Sequence, residues 1–144
     1  MSSGLVAELC RFAIAASAGD AAAIRRVLAR VRRARRPRAA FEEVALMLTL
    51  YASYPAAIES LRLLGLEWPQ ATKAGEVPVA TRRRRGLATL AAVYGGVADS
   101  VRAALRSHHP ALEAWVIEHA YGRVLSRGAL EMKERELVTL ALLV

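Results

Sequence analysis

Two carboxylates and one imidazole stand out among the residues able to move a proton: Glu118, His119 and Glu136. Imidazole titrates near neutrality, and a Glu displaced from its ordinary range can serve as acid or base. Glu118 and His119 are neighbours, so on a helix their side chains diverge by about 100° and form no dyad with each other. His119 follows Trp115 by four residues, on the face that also holds Leu112. Its plain alternative is a half-buried structural histidine. Glu136, between Arg135 and Leu137, either acts as an acid or pairs with Arg135 or Lys133. His108 and His109 precede Pro110 at a break. Two adjacent imidazoles without a third ligand at workable spacing make a poor metal site, so no metal and no cofactor is expected.

Cys10 is the single cysteine, which excludes an intrachain disulfide and a cysteine-rich metal centre. Its setting, Leu9-Cys10-Arg11-Phe12-Ala13, reads as a small core residue on an apolar helix, with a reactive thiol as the alternative. Tyr51, Tyr54 and Tyr121 are expected to pack with their hydroxyls hydrogen-bonded.

These residues must be held by helices. The chain has 144 residues, 55% of them hydrophobic and only 6% aromatic, so its core is built from Ala, Leu and Val. Ala and Leu are strong helix formers. Leu5, Leu9, Phe12 and Ala16 recur at helical spacing and predict a helix over 3–18. Gly19 and Asp20 supply its C-terminal cap and the next N-cap. A second helix follows to about 35, with Ile24, Val27, Leu28 and Val31 on one face and arginines over much of the rest. A third runs from 38 to 53, apolar nearly all round, with Glu42 and Glu43 in its first turns where the helix dipole favours them. Pro55 opens a fourth.

Trp68-Pro69, Gly75, Val77-Pro78 and the run Arg82-Arg83-Arg84-Arg85 interrupt the rhythm, so 67–85 reads as a linker between halves 1–66 and 86–144. Helices are expected over 86–93, 97–107, 110–125 and from 131 onward. No strand is expected. The last helix, Leu137-Val138-Thr139-Leu140-Ala141-Leu142-Leu143-Val144, is apolar on all sides and must be covered by the N-terminal half or a neighbouring subunit.

No stretch reaches the roughly 18 uninterrupted apolar residues of a membrane span, and the opening segment carries Glu8 and Arg11 within its apolar run. A cytoplasmic protein without a membrane partner is the expectation. The net charge of +8 raises the question of nucleic acid. Nucleic-acid readers pair basic patches with a recognition helix or stacking aromatics, and neither pattern accompanies Arg30 to Arg38 or Arg82 to Arg85.

Two segments carry a resemblance. One is Trp115-Val116-Ile117-Glu118-His119-Ala120-Tyr121-Gly122-Arg123 through Ser126-Arg127-Gly128-Ala129-Leu130 to Arg135-Glu136-Leu137. The other is Phe41-Glu42-Glu43-Val44 through Tyr51-Ala52-Ser53-Tyr54-Pro55-Ala56-Ala57 to Leu61. Together they resemble the carboxymuconolactone decarboxylase-like (AhpD-like) family, with the order of the two segments reversed. Glu8-Leu9-Cys10-Arg11-Phe12-Ala13-Ile14-Ala15 also echoes Glu136-Leu137-Val138-Thr139-Leu140-Ala141-Leu142-Leu143. A circularly permuted relative, or a chain cut from a tandem one, accounts for both features.

The resemblance implies an all-α bundle of seven to eight helices as one domain over 1–144. It also implies a homo-oligomer, trimeric or hexameric, and a small carboxylate ligand. The family's peroxidases use a Glu, a Cys-x-x-Cys pair and a His. With Glu8 aligned to that Glu, the cysteine positions fall on Asp20 and Ala23, and the His position on Val27. A two-cysteine peroxidase mechanism within one chain is therefore excluded. A decarboxylase-like lyase acting on a carboxylated or lactone substrate stays open, with Glu136, His119 and Glu118 as its candidate residues. So do a non-catalytic binding or assembly protein of the same fold and, third, a basic nucleic-acid-binding module.

Overall fold

The computed structural model describes residues 3–72 and 75–144. It is all-helical: α1 Ser3–Ser17, α2 Ala21–Arg33, α3 Arg38–Tyr51, α4 Tyr54–Glu67, α5 Val79–Tyr94, α6 Ala98–His108, α7 Pro110–Ala114 and α8 Met132–Leu143. A 3₁₀ turn, Gly95–Val97, joins α5 to α6, and α7 continues as a π-helix over Trp115–Val124. Among the described residues there is no strand. The chain divides into two compact units, one of Met1–Ala74 with Ala129–Val144 and the other of Gly75–Gly128.

In the first unit the predicted apolar stripe of α1 is the core: Leu5, Leu9, Phe12 and Ala16 are buried. They meet Ile24, Leu28 and Val31 of α2, Phe41, Val44, Met47 and Leu48 of α3, and Leu63 and Leu64 of α4. Each such Leu, Ile or Phe removed from water contributes about 1.5–3 kcal/mol. Phe12 and Phe41 meet edge to face, 5.6 Å between centroids, the arrangement that ring quadrupoles favour.

Turn chemistry fixes the hairpins. Gly19 adopts φ +68°, its N–H donates to Ala16 O, and the Asp20 N–H donates to Ala15 O. This is the Schellman closure of a helix. Asp20 Oδ1 then accepts from the Ala23 N–H at 2.9 Å and starts α2. The same closure ends α2, through Arg35 N–H to Arg32 O and Arg36 N–H to Val31 O. There the left-handed position, φ +53°, is held by Arg35 instead of glycine. Between α3 and α4, Ser53 Oγ accepts from the Ala56 N–H, and Pro55 sits in the first turn as the sequence predicted.

The terminal helix α8 packs on α1 and α3 of its own chain. Val138 is fully buried, and the Cys10 thiol lies 3.8 Å from Leu137 O. Cys10 is half-buried rather than a core residue, and burial pushes its thiol up from the ordinary range. The cover expected for this helix is thus found on one face only, since Leu137, Leu140 and Leu143 stay exposed. Arg135 turns inward to Glu43 of α3, 3.6 Å away, and both side chains are almost completely buried. Glu43 therefore answers a buried guanidinium, not the helix dipole. The Glu131–Glu134 capping box starts α8.

The second unit begins before the sequence reading placed it. Residues 79–85, read as linker, are the first two turns of α5. Pro78 stands at the N-cap, where its missing N–H costs nothing, and the Thr81 hydroxyl donates to Pro78 O. Lys73 and Ala74 of that expected linker lie outside the described residues. The halves 1–66 and 86–144 also need correcting, because residues 129–144 pack with the N-terminal helices.

α5 and the π-helix are the principal contact of this unit, and they meet backbone to backbone. A Cβ on Gly86 would lie 1.8 Å from Ile117 O, and one on Gly122 would lie 2.0 Å from Arg82 O. Only the absence of side chains permits that approach. Leu90, Ile117 and Val124 fill the contact, whereas α6 buries no residue.

Candidate functional site

Glu136 belongs to the first unit, and Glu118 and His119 to the second. Glu136 is exposed on α8, while its neighbour Arg135 takes the inward position. Glu118 is half-exposed and lies 3.7 Å from Arg83. His119 is half-buried on the π-helix. Burial pulls its imidazole below the ordinary range, the charges of Arg123 and Arg82 push the same way, and Glu76 opposes them. Trp115, four residues before it, is 68% exposed and is not a buried neighbour on a core face. Leu125 N–H donates to Ala120 O, five residues back. This five-residue bond is the π-helical pattern, with a wider turn than the α-helix has. Glu113 and Glu118 both reach Arg83, at 3.6 and 3.7 Å.

A different cluster gathers in the first unit, along the α1–α2 hairpin. Arg30 of α2 grips Glu8 of α1 with two hydrogen bonds, Nε to Oε1 at 2.9 Å and Nη2 to Oε2 at 2.6 Å. Arg11 adds a third, Nη1 to Oε1 at 2.9 Å. The bidentate fork matches carboxylate geometry. These bonds and charges hold Glu8 below the usual carboxylate range, overcoming the opposite push of burial. Glu8 is ionised at neutral pH and is a poor proton donor.

Beside this clamp opens a cleft of about 370 Å³, lined by Arg11, Arg26 and Arg30 with Ile14, Ala15, Ala18, Ala23 and Val27, and with Asp20 at the turn. Asp20, Ala23 and Val27 are the positions that the resemblance aligns with two cysteines and a histidine. The structure brings all three to one cleft and puts arginines around them. Arg26 forms no hydrogen bond or ion pair with any described residue. An apolar floor with cationic groups at its rim suits an anion carrying an apolar body. Neither this cleft nor the adjoining one, of about 510 Å³, includes Glu118, His119 or Glu136.

No family model matches the chain, and no curated protein and no solved structure matches it.

Arginines of the second unit are engaged differently. Glu113, almost buried, accepts from Arg102 at 3.0 Å and Arg106 at 3.2 Å, with Arg83 at 3.6 Å. Burial pushes its carboxyl up, but Arg102, Arg83 and Arg106 outweigh it and hold the pKa low. Glu76 accepts two hydrogen bonds from Arg123, which keep it low as well. Arg85 donates to Ser126 Oγ and O. Of the run Arg82 to Arg85, only Arg84 projects with no partner among the described residues. A patch that is neutralised from within offers little to a phosphate backbone.

Among the described residues no three His, Cys, Asp or Glu side chains are placed to hold a metal ion. No helix is long and apolar enough to cross a membrane among those residues. The Glu8–Arg30–Arg11 cluster was missed from sequence because it depends on which turn of α2 faces α1. Gly19 and Asp20 set that register. One signal was present: Arg26, Arg30 and Arg33 follow i, i+4, i+7 spacing and so share a face of α2.

Proposed function

We propose that this chain is a carboxymuconolactone decarboxylase-like (AhpD-like) protein of permuted helix order that binds carboxylates in the α1–α2 cleft without turning them over. The observation that carries this reading is the cleft itself. Positions Asp20, Ala23 and Val27 line it, and Arg11, Arg26 and Arg30 surround it. The Arg11–Arg30 pair already holds one carboxylate, that of Glu8, in bidentate geometry. A lyase would also need an acid to protonate the carbon left after carbon dioxide departs. Glu8 is held ionised by Arg30 and Arg11, so the clamp supplies binding and not a proton. Self-association into a homo-oligomer belongs to the same reading, supported by the exposed Leu137, Leu140 and Leu143. Sedimentation would detect it as a particle larger than one chain.

Calorimetry with benzoate tests the cleft, paired with carbon dioxide release from a carboxylated lactone. Saturable binding of benzoate but not of benzamide is expected, with no release. Arg26→Gln should weaken binding about fivefold, the scale of one exposed charge–charge contact. Absence of benzoate binding overturns the site, and turnover overturns the non-catalytic reading.

A further inference from the structure

The cleft described above does not end at the clamp. A second cleft, of about 510 Å³, lies on the other side of it, lined by Ser3, Gly4, Ala7, Val31, Ala34 and Arg36. Arg11, Arg30 and the clamp residue connect the two, for both arginines line both clefts. Along α1 the pair extends from Gly4 to Ala18, about 20 Å at the helical rise. That is the length of about four helical turns. A small carboxylate fills only one part of it.

Charge and floor point to one kind of occupant. Four arginines, Arg11, Arg26, Arg30 and Arg36, line the joined groove against two carboxylates, Glu8 and Asp20. Both carboxylates are engaged within the hairpin, Glu8 by Arg30 and Arg11, and Asp20 by the Ala23 N–H. Over the joined lining, positive groups outnumber negative ones by two. The floor is apolar, and Ile14 stands 54% exposed upon it. We infer that the groove is a docking site for an acidic amphipathic helix of a partner protein, with its aliphatic face on the floor and its Asp and Glu side chains toward the arginines. The inference rests on the carboxylate-binding reading and names the source of those carboxylates as a protein side chain. Helix-in-groove binding draws affinity from the apolar anchors, and charge complementarity supplies selectivity.

Fluorescence anisotropy with the full chain tests it. The probe is a labelled 15-residue peptide with leucines at i, i+4, i+7 and i+11 flanked by glutamates. Its twin carries lysines in place of the glutamates. Saturable binding is expected, at least tenfold tighter than the twin, and competed by benzoate. Ala7→Glu adds a negative charge at an exposed position of the second cleft. It should weaken the peptide about tenfold and leave benzoate binding unchanged. If benzoate binds and the peptide does not, this inference falls while the carboxylate site stands. If neither binds, both fall. Equal binding of the two peptides, or displacement of the acidic peptide by an oligothymidine strand, also overturns it.

Discussion

Phe12 against Phe41, and Gly86 against the Ile117 carbonyl, are the contacts that characterise the two units. The first unit is closed by side chains: four helices contribute an aliphatic stripe each, and one ion pair, Glu43–Arg135, is buried where α8 meets α3. The second has few large side chains to bury, and α6 contributes none. It is held by close backbone approach at two glycines and by arginines ringed around Glu113 and Glu76. Where apolar volume is scarce, cohesion comes from short-range backbone packing and charge, which respond to other perturbations than an aliphatic core does.

The largest effect should follow from giving the second unit a side chain at its closest contact. Gly86→Ala drives a methyl into Ile117 O and should cost about 3 kcal/mol or more. Hydrogen exchange should show α5 and the π-helix losing protection while α1 to α4 keep theirs. Unchanged protection in α5 would show that the approach is not needed.

Glu43→Ala removes the carboxylate facing a buried guanidinium in the first unit and should cost about 3 kcal/mol in chemical denaturation. The double replacement Glu43→Leu with Arg135→Met should recover most of that loss. If the double variant is no better than the single one, the pair is not an isolated charge compensation.

Acid should separate the units next. Glu113 and Glu76, like Glu8, have folded pKa values below their ordinary ones. The stability they contribute is complete above the ordinary carboxylate range, about 4.3, and is lost as pH falls through the lowered folded values. Two of these three groups hold the smaller unit, so its amides should lose protection before those of α1 to α4 between pH 5 and pH 3. Simultaneous loss would mean that the network around Glu113 is dispensable.

The smallest effect belongs to a turn. Arg35 occupies a left-handed position that Gly19 fills in the equivalent closure of α1. Arg35→Gly should raise stability by about 0.5–1 kcal/mol in the same denaturation assay.

Much of the first unit was legible in its residues. The stripe Leu5, Leu9, Phe12 and Ala16 and the signals at Gly19, Asp20 and Pro55 all act locally, so spacing alone reveals them. The start of α5 was not legible, because Gly75 and Pro78 read as breakers although proline stands at a helix boundary without cost. The helix over 110–125 was legible too, but not that Trp115–Val124 takes the five-residue bond pattern in place of the four-residue one. On α8, apolar residues lie on every side, so no moment shows which of Arg135 and Glu136 turns inward. The choice was made by Glu43, 92 residues earlier in the chain. Glu8 was singled out by resemblance, but its arginine partners are products of the hairpin register.

The site assignment is tested most directly by titrating the ¹⁵N-labelled chain with benzoate and following every backbone amide. Saturable shifts should be confined to α1 and α2, centred on Arg11, Ile14, Ala23, Val27 and Arg30. Shifts centred on Glu118, His119 or Glu136, or none at all, would contradict it.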